Sequence, residues 1–264
     1  MSEPTVLSEV DTRGVATVTL NRPDVHNAFD DVLIDTLDGA LKELDHNDAV
    51  RVVVLAAEGK SFSAGADLRW MQRMASYSEE ENLEDARRLA ALMRTLNRLV
   101  KPTLARVHGS AFGGGVGLIA CCDIVVASEN ARFALTEVKL GLIPAVISPY
   151  VSRAMGERHA RRYMLTGEQF SAEEGYRLGL VHDVVPKSLL DERVRSLIAM
   201  LLENGPAAMT AIKALLRRVA GGPLDNTMIE DTAKRIAKVR ATEEGKEGVT
   251  AFLEKRKPRW SRRS

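Results

Sequence analysis

An α/β core followed by a helical appendage is the fold class that these 264 residues predict, and three observations carry it. Apolar runs of strand length alternate with segments of helical period through the first part of the chain. Two glycine-bearing segments, Ser61-Phe-Ser-Ala-Gly-Ala-Asp-Leu68 and His108-Gly-Ser-Ala-Phe-Gly-Gly-Gly-Val-Gly117, each lie between such a strand and a helix start. After about Pro186 the strand signal stops. The predicted division is an α/β core over 1–190 and a helical region over 191–264.

In chain order, residues 15–20 alternate apolar and polar as a strand does, and 30–44 carry Val32, Leu33, Leu37, Leu41 and Leu44 at helical spacing. Residues 52–57 form a continuous apolar strand. Leu83, Ala86, Leu89, Ala90, Met93, Leu96 and Val100 mark one face of a helix that Pro102 closes. A strand at 103–107, a helix from the glycine cluster and a strand at 123–127 continue the rhythm. Amphipathic helices follow over 188–202, 207–219 and 227–238, broken near Gly205-Pro206 and Gly221-Gly-Pro223. Their apolar faces must pack on the core or on another subunit. No internal repeat is visible, and low complexity is confined to the basic end, 255–263.

Thirty-seven basic against thirty-six acidic residues leave a formal charge of +1, which gives no global field toward nucleic acid or a membrane surface. Trp260 among the terminal basic residues is poor evidence for a nucleic-acid site. The longest stretch free of Asp, Glu, Lys and Arg, 107–122, is too short and too rich in glycine to span a bilayer. The N-terminus lacks the features of a signal or transit peptide, so a cytoplasmic protein is expected. Cys121 and Cys122 are adjacent, and a bridge between them would be strained; buried free thiols are expected.

A strand-to-helix turn presents unpaired N–H groups at the positive end of a helix, and glycine removes the Cβ that would hold a ligand away. Two such turns facing one point bind one developing oxyanion. Alone, the 113–117 cluster also reads as a glycine-rich helix packed tightly on a neighbour. Glu137, in Phe133-Ala-Leu-Thr-Glu-Val-Lys-Leu-Gly-Leu-Ile-Pro144, is an acid in an apolar stretch, where desolvation raises its pKa toward that of a useful base. An ion pair with Lys139 and a helix N-terminal charge are the other readings. Gly115-Val-Gly-Leu-Ile-Ala120 formally fits a dinucleotide fingerprint, but that match leaves the Ser61 loop unexplained. No phosphate-loop, His-Glu-x-x-His or paired Cys-x-x-Cys pattern occurs, so no metal site is expected.

With Leu20-Asn-Arg-Pro23 and Phe252-Leu-Glu-Lys-Arg-Lys-Pro258, these segments resemble the enoyl-CoA hydratase/isomerase (crotonase) superfamily over nearly the whole chain. The resemblance implies a ββα-superhelix-like core and an acyl-CoA thioester substrate, with CoA carried by the substrate and no separate cofactor. It assigns the two oxyanion donors to the N–H groups of Ala66 and Gly114 and the proton transfers to Glu137. Substrate contacts fall on Ala64, Ala66, Asp67, Leu68 and Arg69, with Val25 and Ala28 lining the entrance. Phe252 and Lys255 reach the nucleotide end of CoA from the helical tail, in the manner of a neighbouring subunit. The implied assembly is a homotrimer or homohexamer, with neither nucleic acid nor membrane as a partner.

Two departures shape the expected reaction. The best-known hydratases carry a second glutamate where this chain has Gly117, and a two-glutamate mechanism does not carry over. Water, Ser110, Ser148 and Tyr150 are candidates for the missing shuttle, and a substrate group or ordered water is expected to fill the space that Gly117 leaves. The Pro144-Ala-Val-Ile-Ser-Pro149 stretch replaces a glycine-rich one, and with Gly117 and Cys121-Cys-Asp123 it resembles the branch that hydrates 3-methylglutaconyl-CoA and related isohexenylglutaconyl thioesters in leucine and terpenoid breakdown. Arg106, His108, Arg132 and Arg153 are candidates for a second carboxylate. The expected activity is hydration of an α,β-unsaturated acyl-CoA; a Δ3,Δ2-enoyl-CoA isomerase using Glu137 alone and a silent acyl-CoA binder are the alternatives.

Overall fold

The computed structural model describes residues 3–262, so Arg263 of the basic end lies outside the described residues. Strands β1 (Val6–Val10) and β2 (Val15–Leu20) pair antiparallel, and helix α1 (Asp31–His46) leads to β3 (Val52–Ala57). Asp30 caps α1 by accepting from the Leu33 N–H, so the helix starts one residue after the expected position. Leu33, Ile34, Leu37, Leu41 and Leu44 are buried, whereas Val32, expected on that face, is exposed.

The Ser61 segment enters α2 (Leu68–Met74), and α3 (Glu79–Arg98) follows behind a capping box of Ser78 and Glu81. Only the later turns of α3 bury their apolar residues, Leu92, Met93 and Leu96. Leu83 is exposed, contrary to the periodicity. The first turns of α3 extend beyond the core and border a cleft through Asn82, Asp85 and Ala86.

Strand β4 (Thr103–Val107), the two-residue β5 (Ala111–Phe112), α4 (Gly114–Cys121), β6 (Ile124–Ser128) and β7 (Arg132–Ala134) come next. Helices α5 (Ser148–Met155) and α6 (Glu157–Thr166), strand β8 (Phe170–Ser171), helix α7 (Ala172–Arg177) and strand β9 (Asp183–Val185) complete the core. The main sheet has the order β1-β2-β3-β4-β6-β9, parallel from β2 onward, and β5-β7-β8 form a small second sheet.

Both faces of the main sheet are covered, which explains why 52–57 reads as an unbroken apolar run. Val53 and Leu55 face the main core with Leu37, Leu96 and Ile119, while Val52 and Val54 face Leu190, Val194 and Ile198 of α8 (Leu190–Glu203). Helix α8 therefore supplies the sheet's second covering layer.

Helices α9 (Pro206–Val219), α10 (Asn226–Ala241) and α11 (Glu243–Leu253) pack on one another beyond it. Buried Lys213 of α9 reaches the core, donating to the Lys101 carbonyl at 2.9 Å and to Asp123 Oδ2 at 2.5 Å. The same Asp123 oxygen accepts from the Thr103 N–H and hydroxyl, and β6 begins after Asp123 rather than on it. Trp260 donates its ring N–H to the Glu203 carbonyl, while its own carbonyl accepts from Arg51, so this aromatic ties the C-terminus down. Leu224, Phe252 and Leu253 leave large apolar side chains exposed. Among the described residues no helix is long and apolar enough to cross a membrane.

Candidate active site

The site begins with how two loops are held. Asn27, fully buried at φ +54°, accepts from the Arg22 N–H at 2.8 Å and donates to the carbonyls of Glu58 and Ser61 at 2.8 and 2.9 Å. Its own carbonyl accepts from the Ser63 hydroxyl. Three of these bonds, to Glu58, Ser61 and Ser63, fasten the segment before α1 to the Ser61 loop and its lead-in, and the bond from Arg22 holds that segment's own turn.

Two residues on, Phe29 forms a parallel bridge with Ala66. The Phe29 N–H donates to Gly65 O at 2.6 Å, and Phe29 O accepts from the Asp67 N–H at 2.8 Å. In such a bridge the flanking residues take both bonds, so the Ala66 N–H points to the opposite side. Among the described residues it has no protein acceptor.

The second loop approaches the first across Gly65 and Gly113. A Cβ on Gly65 would lie 3.2 Å from Phe112 O, and one on Gly113 would lie 3.1 Å from Glu137 Oε1; both glycines have positive φ, +89° and +50°. Gly114 is the first residue of α4, where no intrahelical acceptor exists for its N–H, and none is present among the described residues. Ala66, Gly114 and Glu137 all line one cleft of ≈ 470 Å³.

Glu137 opens a short 3-10 turn, Glu137–Leu140, that Gly141 closes. Its Oε2 is shielded from solvent without a hydrogen-bond partner, and desolvation holds the carboxyl above the ordinary glutamate range. Among the described residues no cation pairs with it; the Lys139 stem lies over Gly167 instead of making the ion pair considered from sequence. The arrangement offers two unpaired N–H donors and one under-solvated acid around a single opening. It can stabilise charge on a carbonyl oxygen while moving a proton nearby.

Of the other expected contacts, Ala64 lines the cleft and the rest do not. Ala28 is buried, with its carbonyl accepting from Arg22, and Val25 is exposed beside it. Asp67 caps α2 through the N–H groups of Arg69 and Trp70 and pairs with Arg22 at 3.1 Å. Burial alone would raise its pKa, but those partners hold it below the ordinary aspartate range. Leu68, Arg69, Phe252 and Lys255 are exposed outside the opening, the last two on the α11 side of the chain.

The suggested shuttles also lie off the cleft lining: Ser148 donates to the Ala145 carbonyl, the Ser110 carbonyl accepts from the Phe62 and Ser63 N–H groups, and Tyr150 packs against the core. Arg106 pairs with Asp191 at 2.6 Å, His108 faces the Gly59 carbonyl, Arg132 donates to the Glu129 and Ala131 carbonyls, and Arg153 is exposed; none lines the cleft.

The space at Gly117 is filled by protein, which corrects the expectation of a substrate group or water there. A Cβ at 117 would fall 2.3 Å from Cγ2 of Ile147, within the 144–149 stretch. Gly115 is likewise buried, 2.9 Å from Ser63 Cβ at its would-be Cβ, so the glycines of the apparent dinucleotide fingerprint are packing glycines with no room for a pyrophosphate. Both cysteines are buried free thiols, and Cys122 is pushed up to about 12 by burial.

Sequence reasoning missed Phe29, Trp70, Asn82, Asp85 and Thr136, all on the cleft wall. Asp85 had no signal: it is one acid among several on a charged helix. Ile147 sat inside a flagged stretch, but its partner was invisible.

The sequence pattern of the enoyl-CoA hydratase/isomerase family matches residues 11–263. The chain is 35% identical to a 2,3-dehydroadipyl-CoA hydratase of Escherichia coli, over 92% of this chain and 94% of that protein. It is 34% identical to a short-chain-enoyl-CoA hydratase of Clostridium acetobutylicum, over 92% of each. Among solved structures, an enoyl-CoA hydratase from Shewanella pealeana superposes with a TM-score of 0.94 at 48% identity, covering 97% of this chain and 96% of that one. An enoyl-CoA hydratase of Mycobacterium smegmatis superposes at 0.92 with 37% identity, covering 98% and 99%.

Proposed function

The chain belongs to the enoyl-CoA hydratase/isomerase family, and from that premise we propose that it adds water across the double bond of an α,β-unsaturated acyl-CoA. One observation carries the reading: the unpaired N–H groups of Ala66 and Gly114 border the same cleft as the under-solvated Glu137. The thioester oxygen accepts from both N–H groups. Glu137 takes a proton from a water as its oxygen bonds to Cβ; the Cα–Cβ π pair moves toward the carbonyl, giving an enolate whose charge the two donors stabilise. A proton then returns to Cα, from Glu137 or from solvent, and the thioester is restored with no change in redox state. CoA enters as part of the substrate, so this chemistry needs no further cofactor.

Gly117 and the 144–149 stretch support a branched glutaconyl thioester as the finer substrate. Against it, the cleft lining among the described residues holds Asp85 and Glu137 but no Lys, Arg or His to meet a second carboxylate. An isomerase reading gains from the closed Gly117 position, because one acid suffices to move a proton along an allylic system. The exposed apolar residues of the last helices support a homotrimer or homohexamer, in which Phe252 and Lys255 would meet the CoA of a neighbouring site.

Loss of the conjugated-enoyl absorbance on mixing with crotonyl-CoA tests the hydratase reading. Appearance of that absorbance from a 3-enoyl-CoA, with no hydration, would replace it by the isomerase. Acyl-CoA binding with neither change would mark a silent binder.

A further inference from the structure

The cleft is not uniformly apolar. On its wall, Asp85 of α3 accepts from the Trp70 ring N–H at 3.2 Å, and Asn82 stands one helical turn before it. The Asn82 amide N–H₂ donates to two carbonyls, Tyr77 at 3.2 Å and Ser78 at 3.0 Å. Those two carbonyls fix the orientation of the amide and use both of its hydrogens, so its Oδ1 is left as an acceptor. The Trp70 N–H is likewise already spent on Asp85.

From these observations we infer that Asp85 and Asn82 form an acceptor-only wall in the acyl cleft, one that receives a chain end bearing a hydrogen-bond donor such as a hydroxyl and rejects a chain end bearing a carboxylate. The inference rests on the acyl-CoA reading above and narrows its substrate class. It follows from simple complementarity. A carboxylate needs donors or cations, and Asp85 and Asn82 present neither; beyond them the lining's side-chain hydroxyl is that of Thr136, next to Glu137, and no Lys, Arg or His lines the cleft among the described residues. Desolvation holds the Asp85 carboxyl above the ordinary aspartate range against the opposing pull of Arg88 and Arg73, which are paired with Asp35 and Asp31 off the cleft lining, so a second negative charge would be brought beside one that is poorly solvated. A hydroxyl instead donates to an ionised acceptor, the stronger kind of hydrogen bond. A methyl end makes no such bond but leaves the acceptors to water, and belongs between the two.

The test uses saturated thioesters, which bind without turning over: hexanoyl-CoA, 6-hydroxyhexanoyl-CoA and adipyl-CoA, with their eight-carbon counterparts to cover depth. Calorimetry on the full chain at slightly alkaline pH should give the order hydroxyl, methyl, carboxylate, with the carboxylate weaker than the methyl by about tenfold or more. Asp85→Asn keeps an acceptor for Trp70 and turns an amide N–H₂ toward the cleft, so it should shrink the carboxylate penalty by about tenfold. Equal affinity of adipyl-CoA and hexanoyl-CoA for the wild type overturns the inference, as does an unchanged ratio in a folded Asp85→Asn. If that variant does not fold, the wild-type order decides by itself. A protein that binds none of the thioesters loses the acyl-CoA reading as well; one that binds all of them alike loses only this inference.

Discussion

A Cβ on residue 117 would fall 2.3 Å from Cγ2 of Ile147 and 2.9 Å from its Cβ, so Gly117 and Ile147 occupy one space between them. The second contact matters most, since rotating the isoleucine about χ1 moves Cγ2 but leaves Cβ in place. Ile147 is 2% exposed, with one side of it bordering the cleft. Gly117→Ala should therefore destabilise by about 1–3 kcal/mol through overpacking, and Ile147→Ala by about 2–5 kcal/mol through the cavity it leaves. The double variant should be more stable than the sum of the two losses, because each change relieves the other. Urea unfolding of the four proteins measures this coupling; strict additivity would mean that the two residues do not share the space.

The proton-transfer role of Glu137 predicts that Glu137→Gln keeps acyl-CoA affinity while turnover falls by a factor on the order of 10²–10⁴. Glutamine preserves the size of the side chain beside Gly113 and removes only the titrating group. Steady-state rates and a binding isotherm on the same preparation separate the two effects, and near-normal turnover removes Glu137 from the mechanism.

The raised pKa of Glu137 fixes the sign of two pH effects. A base must be ionised, so kcat/KM should rise with pH through a midpoint above the ordinary glutamate value of 4.5. Stability runs the other way. With the folded pKa above the unfolded one, the folded state holds the proton more tightly; this contribution is fully present below the unfolded pKa and is lost as pH rises through the folded one. Glu137→Gln should thus have a higher Tm than the wild type at neutral pH, with the gain vanishing as pH falls below the ordinary glutamate range. A gain that is constant with pH would point to packing instead of titration.

What the sequence disclosed of this site follows from how local each signal was. The buried strand at 52–57, the α1 face from Leu33 to Leu44 and the two glycine segments depend on neighbours in the chain, and all of them are present. The two-residue strands β5 and β8 and the three-residue β7 and β9 are too short to show a period, and their pairing is non-local. At the site, Glu137 was conspicuous for its apolar surroundings. Asp85 was hidden because its acidity on a charged helix is ordinary, and only folding turns that one turn toward the cleft. Gly117 drew attention as a missing acid, yet its reason lies thirty residues away in Ile147.

Position 114 allows a main-chain donor to be removed by substitution. Gly114 is the first residue of α4, where proline fits because the helix needs no N–H there. Gly114→Pro should fold yet lose about 10²–10³ in turnover, the usual effect of deleting one oxyanion donor. Its Cβ would stand 3.2 Å from the Phe29 ring, so Gly114→Ala, which has the same Cβ but keeps the N–H, is the matched control. Alanine should stay well above proline in rate. In a complex with a bound thioester, both N–H groups should lie about 3 Å from its carbonyl oxygen. Equal rates for the two variants would take the Gly114 N–H out of the reaction.

Asn27 does not line the cleft, yet the Ala66 donor hangs from the segment it fastens. Its φ of +54° is tolerated by asparagine, aspartate and glycine, so backbone and side-chain roles can be separated. Asn27→Gly keeps the backbone but strips partners from the Arg22 N–H and from the carbonyls of Glu58 and Ser61, at about 1–3 kcal/mol for each of these groups that water does not then reach. Asn27→Asp keeps the acceptor for Arg22 and nearly the same shape, but sets a carboxylate oxygen against two carbonyl oxygens that need donors. Aspartate should therefore be the worse of the two in Tm despite being the closer isostere, since like dipoles then face each other in a buried pocket. If Asn27 positions the Ser61 loop, turnover in both variants should fall by about tenfold or more with KM changed less, because the misplaced N–H is used chiefly when charge develops on the oxygen. Thermal melts and kcat measured together decide the matter: an Asn27→Asp protein that melts and turns over like the wild type would show that the loop holds its shape without the amide.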